Sequence, residues 1–499
     1  MVVREVKSRF EDRYRFSKVE FAVAVSGVVS MGLEIVAGRV LAPRFGSTIY
    51  TWGSIIGISM LALSLGYLHG GRTSSSASVK DLERYLVYTS AYILFVLFAG
   101  ESLLTASAGI PVDARYASII PVTLLFGPPT YFLGYISPYA AQLSSKATKG
   151  EASGHFYAVG TAGSILGAFG TTFLLVPNFS VDTIYLMFGT LSVLPVLFGS
   201  RDLKQLAPLI VVAAGFLALQ TPAVNDNVVY SDSTVYQELE VRDSAGVRTL
   251  YLDGQPQSAI YLNGSGYPWG YLDYFHIPLA LNNDTEDVLF IGGGGFVGPQ
   301  EFAERGYDVD AVELDPGVVK AAENYFNLTE SENLDVYTQD GRDFLQQTDQ
   351  EYDVVYLDAY RKSKVPFHLT TKEFMELAYK KTGENGILMS NIISTTSGPG
   401  SKFAKSQSAT MKEVYNSLYF FPTQNTDLAQ NIELMAMKND RLRQEDLQRR
   451  VKSYEARNLS DEVSMLRQID TSGAQILTDD YAPVDELLNP LLGRDYVID

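Results

Sequence analysis

The chain has 499 residues, a net charge of −18 and no cysteine, which excludes disulfides, thiolate metal sites and cysteine nucleophiles. The charge is unevenly placed: residues 1 to 220 carry 16 Lys or Arg against 12 Asp or Glu, and residues 221 to 499 carry 23 against 45, a net of −22. Such an acidic second half repels phosphate, so nucleic acid is not expected as a partner, while the first half reads as apolar and slightly basic.

Six windows of the first half approach the roughly 20 apolar residues that a helix needs to cross a bilayer. They run Val19 to Val40, Trp52 to Leu68, Tyr85 to Ala108, Ala117 to Leu143, Phe156 to Val176 and Val181 to Phe198. A seventh, Leu206 to Leu219, is short, holds Pro208 and reads as partly inserted. Residues 1–220 are therefore expected to form a transmembrane helical bundle of six to seven segments, an integral, multi-pass membrane unit whose partner is the lipid bilayer. Arg4, Lys7, Arg9, Arg13, Arg15 and Lys18 precede the first window, and their charge puts the N-terminus in the cytoplasm. Six spans then return the acidic half to the same side. The first window is too long for a cleaved signal peptide.

Within the bundle, Gly160, Gly163, Gly167 and Gly170, and also Gly53 and Gly57, recur at helical spacing and read as faces where helices approach closely. Glu34 is costly in lipid and is expected to meet a partner, Arg39 or Arg44, or a polar cavity. Pro128 and Pro129 predict a kink in the fourth segment.

Residues 228 to 263 alternate polar and apolar, with turn signals at Asp243 to Gly246 and Asp253 to Gly254, and predict a small antiparallel hairpin region within a β subdomain spanning 221–280. The stretch Val288 to Pro316 follows, reading VLFIGGGGFVGPQEFAERGYDVDAVELDP. An apolar strand enters Gly292, Gly293, Gly294 and Gly295, and a second strand about twenty residues on ends in Glu313, a pattern that binds a nucleoside. From there to the end, a domain spanning 281–499 alternates strands with helices. The strands are Val288 to Ile291, Val309 to Glu313, Leu334 to Thr338, Val354 to Leu357 and Ile387 to Asn391, which predicts a parallel sheet covered on both faces with ligands above its carboxyl end.

Glu313, Asp340 and Asp358 sit at or just after strand ends, which points to one shared site. By position Glu313 would take the ribose, Asp340 the adenine amino group, and Asp358 would reach the reacting centre as a general base towards an attacking amine.

From about residue 228 to 421 the sequence resembles the spermidine synthase family of aminopropyltransferases. The resemblance rests on Leu252-Asp253-Gly254 with Gln257, His276-Ile277-Pro278-Leu279, the glycine turn, Val312-Glu313-Leu314-Asp315-Pro316, Asp340-Gly341-Arg342 and the strand ending in Asp358. It implies a β-domain before a Rossmann-like, methyltransferase-type core. It also implies a donor, decarboxylated S-adenosylmethionine, held by Gln257, the glycines, Glu313, Asp340 and Gly341. An aminopropyl group would pass to a primary amine, leaving methylthioadenosine, with no metal involved. The first half, with Glu34-Ile35-Val36-Ala37-Gly38-Arg39 and Tyr50-Thr51-Trp52-Gly53, is similar to the bundle of membrane-fused members. The expected architecture is thus an α-helical membrane bundle followed by an α/β domain with a small N-terminal β-hairpin subdomain.

Three departures bear on the substrate. Gly295 stands where the family has an Asp that holds the aminopropyl ammonium. The catalytic strand continues Asp358-Ala359-Tyr360-Arg361, with no second acid. Gly266 to Asp273 replaces an Asp-Glu pair that binds polyamine. Tyr271, Asp273, Tyr360, Arg361 and Asp480 remain as candidates for substrate contact. Arg361 would suit the carboxylate of intact S-adenosylmethionine, and Asp480, in Thr478-Asp479-Asp480-Tyr481, would return an acid to the site. The acceptor is an amine, small or lipid-like, and a homodimer stays open. Two other readings also stay open: a methyl or aminocarboxypropyl transferase acting on a lipid-like substrate, and a non-catalytic, nucleoside-sensing transport protein.

Overall fold

The computed structural model describes residues 17–45, 48–108, 110, 114–144, 148–197, 227–263, 266–360, 365–439, 442–454, 456–491 and 496–497. The chain divides into two compact units, Met1–Val224 and Asn225–Asp499.

The first unit is helical. Its main helices are α1 (Lys18–Phe45), α2 (Ile49–Thr73), α3 (Val79–Ala108), α4 (Lys149–Gly170) and α5 (Val181–Leu197). Caps set two of the starts: the Thr48 and Thr148 side chains accept from the backbone N–H of Thr51 and Glu151, satisfying donors that the first turn leaves open. Between α3 and α4 the chain bends by 54° at the break between Arg115–Leu125 and Gly127–Leu143. Pro128 and Pro129 open the second piece, where ring geometry suits the first turn and interrupts what precedes it.

Among the described residues, four helices are long and apolar enough to cross a membrane, or five with the bent pair counted as one span. Val181–Leu197 is shorter than the others, and Leu206 to Leu219 lies outside the described residues. Outward faces are apolar, with Met60, Leu166, Phe169 and Phe173 exposed, while Thr89, Ser90 and Ser192 are buried within.

Helices α1 and α4 cross closely. A Cβ on Gly163 would run into the Ala24 carbonyl oxygen, and one on Gly167 into that of Val28, so only glycine admits this approach. Gly53, Gly57 and Gly170 behave otherwise: nothing among the described residues lies within 4 Å of a Cβ there, which corrects the expectation of a helix contact at those positions. Arg44 pairs with Glu101 on α3 and not with Glu34.

The second unit begins with a four-stranded antiparallel sheet in the order β1-β2-β3-β4, formed by Val228–Ser233, Glu238–Ser244, Val247–Leu252 and Gln255–Tyr261. Ala245-Gly246 and Asp253-Gly254 have positive φ at both residues of each turn, the geometry that matches the twist of two-residue hairpins.

A seven-stranded sheet follows in the order β10-β11-β9-β8-β5-β6-β7. Its strands are β5 (Asp287–Ile291), β6 (Asp308–Glu313), β7 (Leu334–Thr338), β8 (Tyr352–Leu357), β9 (Thr382–Ser394), β10 (Ser417–Pro422) and β11 (Gln430–Met437). The expectation of a parallel sheet holds for β5 to β9 only, because β11 pairs antiparallel with both β9 and β10. The antiparallel pair needs only a short connection, so no helix separates β10 from β11 to mark them in the sequence.

Helices α6 (Val297–Glu304), α7 (Pro316–Tyr325), α8 (Gly341–Gln347), α9 (Lys372–Lys381), α10 (Lys402–Lys412) and α11 (Gln444–Lys452) accompany the sheet. Phe290, Tyr356, Met389 and Met435 are buried on one face, and Leu289, Leu357, Leu388 and Leu434 on the other. From β5 the chain runs outward to β6 and β7, then returns to β8 on the opposite side of β5. That reversal opens a crevice at the carboxyl ends of β5 and β8, the place where such sheets hold ligands.

Candidate active site

The glycine turn fills one wall of the crevice. Gly292 has φ of 102°, and a Cβ there would strike the Asp358 carbonyl oxygen, so glycine alone lets β5 and β8 splay this tightly. Ser258 on β4 ties down the far end of the turn by accepting from Gly295 N at 2.8 Å. A β-bulge leaves Gln257 between the paired residues Pro256 and Ser258, and bulges of this kind re-aim side chains. Gly295 itself has no room for a side chain: a Cβ would lie 2.9 Å from Ser258 Cβ and 3.1 Å from Phe326.

Glu313 ends β6 and accepts two backbone N–H groups, Gly293 on Oε2 and Asp315 on Oε1, each at 2.9 Å. Burial pushes its carboxyl above the usual range and these amides oppose the shift. Each oxygen keeps a lone pair for a further donor, which fits a pair of ribose hydroxyls.

Asp340 caps α8. Its Oδ1 accepts from Arg342 N at 2.8 Å and Asp343 N at 3.3 Å, and its Oδ2 lies 2.9 Å from His368 Nε2. His368 is the main reason its carboxyl is held below the usual range. Gly341, the next residue, is packed against Ile291.

Asp358 follows β8. Its Oδ1 accepts from Asn391 Nδ2 at 2.8 Å, and Tyr271 also bonds to the carboxylate. Burial pushes the carboxyl up to about 7 against those two bonds. A carboxylate that half-ionises near neutrality matches the proton affinity required of a general base. Tyr271, buried beside it, is raised well above its ordinary value by burial and then by the Asp358 charge, so its hydroxyl stays a donor.

The structure therefore brings Tyr271, Gly292 and Asp358 together, with Gly293, Gly294, Gly295, Glu313, Asp340 and Gly341 along the same carboxyl edge. Three candidates lie otherwise. Tyr360 turns under the sheet: it is fully buried, its hydroxyl donates to Leu369 O at 2.7 Å, and its ring packs against Phe403. Both residues follow the end of β8 at Leu357, so strand periodicity does not fix which way their side chains point. Asp273 spends its carboxylate on Arg457 and on the Tyr267 hydroxyl, within a network that also joins Glu301 and buried His276. Asp480 is exposed at the turn between Thr478 and Tyr481. Its neighbour Asp479 is the residue that returns, bonded to both Arg342 terminal nitrogens at 2.8 and 2.6 Å. Arg361 lies outside the described residues.

Four residues escaped the sequence reading: Ser258, His368, Asn391 and Glu433. Asn391 carried a signal, since it ends a predicted strand as the three acids do. Glu433 carried another: an acid inside the run Ile432 to Met437 has to be buried with the strand.

Residues 273–427 match the spermine/spermidine synthase domain. A polyamine aminopropyltransferase of Vibrio vulnificus is 29% identical over 227 residues, covering 43% of this chain and 74% of that protein. A probable polyamine aminopropyl transferase of Bifidobacterium longum is 27% identical over 286 residues, 52% of this chain and 62% of that one. Among solved structures, a probable spermidine synthase from Corynebacterium glutamicum aligns with a TM-score of 0.42 and 18% identity, over 50% of this chain and 95% of its own.

Proposed function

We propose that this chain, which belongs to the spermidine synthase family, is a transferase that moves an aminopropyl-type group from decarboxylated S-adenosylmethionine to an amine. The observation that carries this reading is Asp358: a carboxylate fixed by Asn391 and Tyr271 beside the glycine turn, with a proton affinity near neutrality. The donor supplies an activated carbon on its sulfonium. Glu313 and the Gly292–Gly295 turn would hold the ribose and the approach to the adenosyl group, with Asp340 at the base. The acceptor nitrogen attacks the carbon attached to sulfur, a carbon–nitrogen bond forms as the carbon–sulfur bond breaks, and the electron pair stays with sulfur in methylthioadenosine. Asp358 takes the proton that the nitrogen gives up. Holding both reactants in line supplies much of the acceleration.

Gly295 leaves the donor ammonium without the acid that the family pattern has there. Donor preference is therefore the direct test. Incubating the full chain in detergent with an amine and either decarboxylated or intact S-adenosylmethionine, then identifying the nucleoside product by mass spectrometry, should give methylthioadenosine from the decarboxylated donor. Release of S-adenosylhomocysteine from the intact donor, or no turnover with either, would sink the aminopropyl reading.

We also read the helical unit as a bilayer anchor that keeps the α/β unit on the cytoplasmic side, where adenosyl donors are made. Its long apolar helices and exposed apolar faces support this, as does the basic N-terminal stretch. Because the chain has no cysteine, a single Ser472→Cys reports the side. An impermeant maleimide should label it only in inside-out vesicles.

A further inference from the structure

Tyr271 reaches Asp358 from a segment that its own sequence holds weakly. It lies in a 3₁₀ helix, Gly270–Phe275, whose preceding residue Trp269 makes no side-chain cap. Runs of this geometry beyond about three or four residues are uncommon, because their hydrogen bonds are poorly aligned. Leu272, Tyr274 and Phe275 are buried, which presses the segment onto the core without fixing its rotation, since apolar contact has no direction. Tyr356 donates to Phe275 O at the far end. Around Tyr271 itself the directional contacts converge on one distant side chain, Arg457, which follows α11. Its Nη2 pairs with Asp273 Oδ1 at 2.5 Å. Its Nη1 donates to the Tyr267 hydroxyl and lies 3.1 Å from His276 Nε2 and 3.4 Å from Glu301 Oε1. The guanidinium carbon also sits 5.2 Å from the centre of the Tyr267 ring. Tyr267 and His276 bracket the 3₁₀ helix, Asp273 lies within it, and Glu301 belongs to α6, the helix that leaves the glycine turn. A planar fork of N–H donors joins these groups at once, which the single point charge of a lysine could not do. The side chains of Asp273 and Glu301 are 25% and 22% exposed and that of His276 is 0%, so the cluster is sheltered from the screening that weakens surface pairs.

We propose that Arg457 is a positioning residue of this reaction: by clamping Tyr267, Asp273 and His276 to Glu301 of α6, it keeps the Tyr271 hydroxyl donating to Asp358. This rests on the transferase reading for the role of Asp358 and adds the residue that holds its hydrogen-bond donor in place. Arg457 acts through Tyr271 and takes no proton itself. A donor to a carboxylate favours the ionised form, and the Tyr271 bond does so at Asp358 against the burial that raises it. Besides Tyr271, the titratable group facing Asp358 is Glu433 of β11, whose own carboxyl burial pushes well above its usual range. Glu433 therefore keeps its proton near neutrality, and Tyr271 is the donor that adjusts Asp358. Without the guanidinium, the Asp273 and Glu301 charges are left to repel each other, and the 3₁₀ helix is released to rotate and withdraw the Tyr271 hydroxyl.

The test follows the acid limb of kcat/KM against pH, which Asp358 sets, in the full chain in detergent. Arg457→Gln should move that limb upward by about half to one pH unit, the worth of one neutral hydrogen bond. At about pH 6 kcat/KM should therefore fall roughly 3- to 10-fold, and at about pH 9 it should stay near the parent value. Tyr271→Phe removes the bond directly and should shift the limb by a similar amount, and Arg457→Gln added to it should shift it no further, because both changes break one interaction. A guanidinium that served stability alone would lower the melting temperature and leave the limb in place. Arg457→Lys, which returns the charge at a single point, should give a smaller shift in the same direction and decides the matter if the glutamine variant does not fold. An unmoved limb in either folded variant, or a further shift in the double variant, would overturn the proposal. A parent chain without turnover breaks the transferase reading instead. The Asp358 carboxyl is then titrated by infrared spectroscopy of chain carrying isotope-labelled aspartate, its band identified by its loss in Asp358→Asn. The same upward shift is expected there in Arg457→Gln, and an unmoved band removes the role assigned to Arg457.

Discussion

Glycine does opposite work in the two units. At Gly163 and Gly167 its missing side chain lets α1 and α4 close on each other, so the space vanishes into backbone contact. At Gly292 the same property lets the chain turn away from β5 beside Asp358 and leave a crevice. Polar side chains divide in the same way. In the helical unit Thr190 and Ser192 donate back to their own helix, to Leu186 O at 2.7 Å and Phe188 O at 2.8 Å. In the α/β unit, Asn391 and Glu433 keep buried acceptors unpaired. Among the described residues the helical unit also leaves Thr171 Oγ1 and Tyr185 Oη unpaired, and it turns apolar surface outward. In the α/β unit the acceptors of Asn391 and Glu433 face each other across β9 and β11.

The sharpest way to break this contrast is Asp358→Asn. The amide keeps the shape but cannot take a proton, so turnover should fall by roughly 10²- to 10⁴-fold, the span of general-base contributions. Methylthioadenosine affinity should change little. Single-turnover formation of methylthioadenosine measures the first and calorimetry the second; unchanged turnover would remove Asp358 from the mechanism.

A crossed pair of glycine substitutions tests whether the two uses of glycine are independent. Gly292→Ala forces a side chain onto a positive φ and into the Asp358 carbonyl, at about 1–3 kcal/mol of strain, and should weaken nucleoside binding about 10- to 100-fold. Gly163→Val should instead overpack the α1–α4 crossing by about 1–3 kcal/mol. It should lower the thermal stability of the detergent-solubilised helical unit and leave nucleoside affinity unchanged. Loss of nucleoside binding in Gly163→Val would show that the units are energetically coupled.

Acidity sharpens the comparison next. Asp358 must be ionised to accept a proton, and burial raises its carboxyl to about 7, so kcat/KM should drop about tenfold per unit as pH falls below 7 and level off above it. The stability effect has the reverse sign. The folded state binds this proton more tightly than the unfolded chain, whose carboxyl titrates near 3.9, so folding loses stability as pH rises from about 4 to about 7 and no further. Asp358→Asn should therefore be more stable relative to the parent at about pH 8 than at about pH 4, a difference that melting curves at the two pH values would detect.

How much of this was legible in the sequence follows from how local each signal is. The strand, glycine turn and Glu313 lie within one stretch, and the turn needs glycine for steric reasons that the sequence displays. Hairpin turns at Asp253-Gly254 were equally visible, because positive φ has few residue solutions. The antiparallel β10 and β11 were not, since a short connection between two apolar runs resembles any buried segment. Nor was the row through Asn391 and Glu433, which comes from three strands brought together only by cross-strand register. Tyr360 shows the converse error: adjacency in sequence to Asp358 suggested a shared site, whereas beyond the end of β8 its ring packs against Phe403 and its hydroxyl bonds Leu369 O.

The smallest expected effect concerns Asp479, which binds the late segment to Arg342 and Thr371, beside Asp340. Its carboxylate takes both Arg342 nitrogens and the Thr371 hydroxyl, and Arg342 also donates to His368 O at 3.0 Å, next to the Asp340–His368 contact. The Asp479 side chain is 42% exposed, so solvent screens much of the pair and removing it should cost no more than about 1 kcal/mol. Asp479→Ala should thus lower the melting temperature of the chain by only about 2 °C and leave turnover at saturating donor intact. Any functional effect should be confined to a rise of a few fold in donor KM, because Arg342 would then be free to pull His368 away from Asp340. A fall in kcat instead would mean that the late segment reaches the reacting centre, and the division between a structural edge at Asp340 and a reactive edge at Asp358 would have to be redrawn.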